Sequence, residues 1–202
     1  MHRISSDKDY YSDGKIVIDA DGIPLEPASK DYVAQRVPVS SFAGTGSPEG
    51  KVAAPVGSTY TDTAATNGAI RWIKTSGTGN TGWRVEYGDT GWRNLSSLIP
   101  STWSGSIAAT RTQDRVTIIG SNIRPGATGT TGILELPAGF RPVRTTTGAG
   151  DESGAYRSIY AFSYSPYRLE LRNVAAANSW VNFSITYVTQ DSWPASSPGT
   201  PA

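Results

Sequence analysis

Tyr167-Arg-Leu-Glu-Leu-Arg-Asn173 and Val181-Asn-Phe-Ser-Ile-Thr-Tyr187 decide the fold class. In the first, Tyr167, Leu169, Leu171 and Asn173 alternate with Arg168, Glu170 and Arg172. In the second, Val181, Phe183, Ile185 and Tyr187 alternate with Asn182, Ser184 and Thr186. A period of two puts the two sets on opposite faces of a strand. Such strands are antiparallel and half-buried, one face in a core and one in solvent. Upstream, Val116, Ile118 and Ile119 stop before Asn122, and Ile133, Leu134 and Leu136 stop before Pro137. Gly and Pro turns punctuate these runs, as in a β-sandwich or jelly roll. The pattern predicts an antiparallel β-sandwich over residues 99–190. Residues 191–202, with Pro194, Pro198 and Pro201, are expected to form a flexible tail.

Upstream of a Ser- and Pro-bearing linker at 96–105, the sequence predicts a small β-meander over residues 46–98. Tyr60 alternates with Thr59 and Thr61, and Asn67-Gly68 is a hairpin turn signal. Ile70 and Trp72 are expected on one face and Arg71 and Ile73 on the other, with Trp83, Val85 and Tyr87 alternating with Arg84 and Glu86. Trp92 sits in one more short strand. Trp72, Trp83 and Trp92 are assigned to packing, because a thin β-module needs bulk. Residues 1–45 read as an extended docking segment. Within it, Lys15 to Ile18 and Ile23 to Leu25 flank an Asp21-Gly22 turn, and Ser29 to Arg36 has the signals of a two-turn helix. That helix is too short to stand alone, and a module of about 50 residues buries little surface. Three-fold association would support both and cover strand edges, so a homotrimer is expected.

Composition narrows the function. Charged residues make up 17% of the 202-residue chain and the net charge is +1, so no basic excess exists to neutralise nucleic-acid phosphates. The absence of Cys excludes disulfides and thiolate chemistry, and a single His, His2, excludes a Ser-His-Asp triad and a multi-His zinc site. No apolar run reaches membrane-spanning length. No cofactor is expected.

The segment from Gly46-Ser-Pro-Glu-Gly50 through Ala54-Pro-Val-Gly-Ser58 to Gly77-Thr-Gly-Asn-Thr-Gly-Trp83 resembles a small β-module of minor tail proteins and tail fibres from phages of Gram-positive hosts, actinobacteria among them. Leu136-Pro-Ala-Gly-Phe-Arg-Pro142 resembles a strand-end motif in the β-sandwich knobs that close such fibres. The resemblance implies a trimeric virion protein made in the host cytoplasm, held by other tail-tip proteins through its N-terminal segment. It further implies a C-terminal domain that binds cell-wall glycopolymer. The resemblance carries no receptor residues over.

Other motifs resolve to structure. Gly77-Thr-Gly79-Asn-Thr-Gly82 fits a dinucleotide fingerprint, yet the strand-like Trp83-Arg-Val-Glu-Tyr87 follows where the chemistry needs a helix. Asp19-Ala-Asp21-Gly22 fails as a Ca²⁺ loop, since Val17 and Ala28 would occupy ligand positions. Asp151 and Glu152 are the one hint of a glycosidase carboxylate pair, but sequence neighbours point apart, and an enzyme is not expected. The alternatives are a purely structural tail protein or, further off, a cell-wall polysaccharide hydrolase.

The receptor site is expected on the sandwich. Residues 144–156 form its longest polar, breaker-rich stretch and read as a surface loop. Asp151 and Glu152 would accept hydrogen bonds from sugar hydroxyls, and Tyr156, Tyr164, Tyr167 and Trp180 would offer stacking faces. Arg168 and Arg172 turn outward, where they would meet teichoic-type phosphate or acidic sugars.

Overall fold

The computed structural model describes residues 3–4, 10–12, 15–18, 39–126, 128–152, 155–174 and 179–202. The chain divides into two units, Met1–Ser40 and Ser41–Ala202. In the first, strands β1 (Arg3–Ile4), β2 (Tyr10–Ser12) and β3 (Lys15–Ile18) form an antiparallel sheet in that order. The Asp21-Gly22 turn and the helix expected at 29–36 lie outside the described residues.

Among the described residues, the second unit is all-β apart from one 3-10 turn at Ser96–Leu98. Its smaller sheet holds β4 (Ser41–Gly44), β5 (Thr59–Asp62), β6 (Ala69–Lys74) and β7 (Trp83–Gly88) in sequential order. β4 runs parallel to β5 and the other pairs are antiparallel. The module therefore begins at Ser41, within the segment expected to dock. Tyr60, Trp72 and Trp83 are buried in its core, as their strand positions require. Ile70 does not share their face: bulges between Ala69 and Trp72 break the alternation, and Ile70 is exposed. Trp92 is exposed as well, because it precedes a strand of only two residues, β8 (Arg93–Asn94), that belongs to the larger sheet. The Asn67-Gly68 turn forms as the sequence predicts. Gly68 has φ +84°, and a Cβ there would lie 1.9 Å from the Asp89 carbonyl oxygen.

The larger sheet has nine strands in the order β11-β14-β13-β12-β15-β10-β9-β8-β16, every pair antiparallel. Their ranges are β9 Ser104–Thr112, β10 Arg115–Arg124, β11 Gly129–Glu135, β12 Thr146–Glu152, β13 Ala155–Ala161, β14 Arg168–Val174, β15 Val181–Val188 and β16 Thr200–Pro201. One cluster of buried residues runs from Leu95 and Ile107 through Val116, Ile118, Phe183 and Ile185 to Ile159, Leu169, Leu171 and Ile133. A flat sheet would leave this face wet. The sheet curls over it instead, so that its two ends act as the two layers of the sandwich. The outer face of β9, β10 and β15 is uncharged along Ala108, Thr110, Thr117, Ile119, Ser184 and Thr186.

The C-terminal segment is not a loose tail. Trp193 is 8% exposed and packs in the core of the small module, donating its indole N–H to Asn67 O at 3.0 Å. Thr200 and Pro201 pair with β8. The reason lies in Arg111, 5% exposed on β9. Its guanidinium donates to the carbonyl oxygens of Gln113 (2.9 Å), Gly139 (2.6 Å), Ser192 (3.0 Å) and Asp191 (2.9 Å) and lies over the Trp193 ring at 4.8 Å. Asp191 Oδ2 in turn accepts the N–H of Gly139 at 2.8 Å and of Arg141 at 3.3 Å. The Leu136-Pro-Ala-Gly-Phe140 motif is thus the corner the chain end grips: Phe140 is fully buried and its carbonyl accepts the Tyr187 hydroxyl at 2.6 Å. Burial pushes the Arg111 pKa down to about 10 against the raising charges of Asp191 and Asp114, with Arg84 lowering it further.

Two predictions follow from these contacts. Arg111→Met strips donors from buried carbonyls, and urea unfolding followed by Trp fluorescence should show a loss of about 3 kcal/mol or more. Asp62, 3% exposed, supplies the second. Burial raises its pKa, but the N–H groups of Gly46, Ala65 and Ala64 and the Lys51 charge outweigh burial and hold it below the ordinary value. A depressed folded-state pKa stabilises above the unfolded value of about 3.9 and is lost as pH falls through the folded one. Urea midpoints measured downward from pH 5 should fall more steeply below about pH 4 for the parent protein than for Asp62→Asn.

Candidate functional site

The candidate site is built on the outer face of β12, β13 and β14. Residues 144–156, expected as a surface loop, are mostly strand: β12 and the start of β13 form a hairpin in which Asp151 opposes Tyr156 and Glu152 opposes Ala155. Gly148 and Gly150, which made the stretch read as a loop, sit where β12 lies beside its neighbour β15. A Cβ on Gly148 would lie 3.3 Å from the Ile185 side chain, and one on Gly150 3.0 Å from that of Val181.

Strand alternation then sorts the predicted residues. Asp151 and Tyr156 point outward, and Tyr156 is 85% exposed. Glu152 points inward and is buried, its carboxylate bound by the Arg157 guanidinium and the Ser179 hydroxyl. It is therefore not a surface acceptor for sugar hydroxyls. Asp151 and Glu152 lie on opposite faces and do not flank a common ligand. Tyr167 also fails as a surface stacking face: it packs against the sandwich core, with the Arg141 guanidinium over its ring at 4.5 Å. Its parity with Leu169 and Leu171 already carried that information. Trp180 is half-buried just before β15.

Arg168, Arg172 and Tyr164 come together, with three residues the sequence reading did not single out. Glu170 lies between the two arginines and is 2% exposed. Its Oε2 accepts Arg168 Nε at 2.8 Å and Nη2 at 2.7 Å, and its Oε1 accepts Arg172 Nε at 2.7 Å. Burying a lone carboxylate is costly, and two guanidiniums offset that cost. Their side chains stay 41% and 37% exposed, so much of their donor capacity still faces solvent. The Glu170 hydrogen bond, with the charge of Glu170 and the neighbouring tyrosines, holds Arg172 above its ordinary pKa against an opposing desolvation.

The arginines rest on an aromatic bed. Arg172 lies 4.2 Å over the Tyr160 ring and 5.4 Å over Phe162, and Arg168 lies 5.5 Å over Phe162. Tyr160 and Phe162 stack at 5.8 Å, and Tyr164 meets Phe162 edge-on at 5.0 Å. Phe162 is 4% exposed yet stands outside the sandwich core; this cluster is what buries it. Tyr160, Phe162 and Tyr164 follow one another at a period of two, with Tyr156 on the same parity beyond Ser158, an aromatic row that is readable in the sequence. The result is an aromatic surface carrying two guanidiniums, held in place by stacking and by one buried carboxylate, with the carboxylates of Asp151 and Glu135 exposed nearby.

Among the described residues no group of acidic, His or Cys side chains is placed to hold a metal ion, and no helix is long and apolar enough to cross a membrane. Glu170→Gln should loosen both arginines together. Thermal denaturation should register about 1–2 kcal/mol of lost stability, the figure being small because the guanidiniums are partly solvated. An unchanged melting temperature would mean that the face is held by stacking alone.

The chain matches no protein-family profile and no curated protein. Among solved structures it is similar to the head domain of the lactococcal phage bIL170, from a report on the receptor-binding domains of lactococcal phages. The TM-score is 0.34 and the sequence identity 15%, over 52% of this chain and 99% of that one.

Proposed function

We propose that this chain is a phage tail component that binds the host surface through the outer face of β12–β14, with an anionic cell-wall glycopolymer as its ligand. The observation that carries this reading is the pair Arg168 and Arg172, fixed on an aromatic bed by Glu170 with donors left facing solvent. Guanidiniums held in this way suit phosphate or carboxylate groups along a polymer, and the exposed rings of Tyr156 and Tyr164 suit the sugars between them. The tail-protein motifs at 46–83 and 136–142 support the same reading. The N-terminal segment would dock to other tail-tip proteins. A homotrimer would present three copies of the face to a repetitive wall, so that weak single contacts add through avidity.

Adsorption of the full chain to cells of candidate Gram-positive hosts tests this. Replacing Arg168 and Arg172 together by Ala should reduce adsorption at least about tenfold and flatten its salt dependence. Adsorption that persists unchanged in a folded double variant would remove the face from the function.

A further inference from the structure

We propose that copies of this chain meet through the outer face of β9, β10 and β15, which each copy turns toward a three-fold axis. The proposal rests on the homotrimer reading above and gives that assembly a surface. The face takes the outward residues of β9 from Ser106 to Thr112, of β10 from Arg115 to Ser121 and of β15 from Ser184 to Val188. Its rows are in register across all three strands: Ala108, Ile119 and Ser184 form one, and Thr110, Thr117 and Thr186 the next.

Arg115, at one corner, is the only charged residue among these outward positions. Depletion of charge marks the covered centre of a protein interface. Ile119 and Val188 lie on the same face and are exposed, so apolar side chains are left in water there. A saccharide site would keep its hydrogen-bonding groups open to the ligand. Here the hydroxyls of Thr117 and Thr186 bond to each other at 3.0 Å, and that of Thr110 donates to Asp89 Oδ1 at 3.4 Å. The face spends part of its polar capacity on the chain itself, which suits a protein surface as its cover.

The occupant is a second copy of the chain. Close to a symmetry axis each side chain meets its own copies, so a charge there meets like charge. A foreign partner imposes no such limit, because it can answer a charge with the opposite one. An uncharged face is what self-association requires, and the face of β12–β14, with Arg168 and Arg172, does not meet that condition. Size sets the strength. Three strands about 4.8 Å apart, with four rows about 6.8 Å apart, cover about 400 Å². A standard interface takes about 800 Å² from each partner, so this face gives a weak association that depends on concentration.

Sedimentation equilibrium of the full chain from about 1 µM to about 500 µM is the test. The mass should rise with concentration from that of one chain toward that of three. Ile119→Arg and Ser184→Arg each bring like charges together at the axis and should raise the midpoint concentration about tenfold or more. Both positions are exposed, so the urea midpoint of each variant should stay at that of the parent protein. An equal mixture of Ile119→Arg and Ile119→Glu should associate better than either variant alone. A chain that stays monomeric at the highest concentration overturns the face and the homotrimer together. A trimer that ignores both arginines overturns the face alone. A mixture no better than its components shows that residue 119 does not meet its own copies, and overturns the arrangement about the axis. Cell adsorption through Arg168 and Arg172 is measured separately, so its failure is distinguishable from failure here.

Discussion

The second unit depends on one buried cation. Arg111 sits where β9, the Gly139 corner and the end of the chain meet, and most of its donors go to main-chain carbonyls. Asp191 completes the knot by returning its side chain to the Gly139 and Arg141 amides while giving its carbonyl to Arg111. These bonds fix the direction in which the chain leaves Thr189, and that direction delivers Trp193 into the core of the small module. The small module, of about 50 residues, buries little on its own. Arg111, together with the bonds of Trp193 to Asn67, of Asn67 to Pro194 and of Gln113 to Glu86 and Gly88, couples the two cores into one unit.

Much of this architecture was legible in the sequence, and the failures have identifiable causes. The strands with strict alternation, β14 and β15, were readable because each separates a core face from a wet one. β12 was not. Its Gly148 and Gly150 signal a loop by composition, but they lie in a paired strand where a Cβ would crowd Ile185 and Val181. The C-terminal segment was misjudged for a related reason. Proline-rich composition suggests freedom, and nothing local reveals that a guanidinium some 80 residues upstream holds it. The bulged β6 shows the opposite limit, in that a clean alternation on paper was interrupted by an irregular register.

The candidate site was half legible for the same reason. Alternation placed Arg168 and Arg172 outward correctly and would have excluded Tyr167 had it been applied consistently. It also separated Asp151 from Glu152. It gave no sign that Glu170, outward by parity, would be buried, because that burial comes from the arginines and rings folding over it.

The loop at 77–82 closes over the side chain of Lys74. Lys74 is 1% exposed, and its ammonium donates to the carbonyls of Gly79 (2.7 Å) and Thr81 and lies 5.8 Å from the Trp83 ring. The glycine spacing that on paper suited a phosphate is in fact wrapped around a positive charge. That charge is covalently attached, so its effective concentration at the loop is set by the chain and not by the medium. A loop organised by a dissolved ion would slacken wherever the ion was scarce; this one carries its own counterpart into any environment the protein enters.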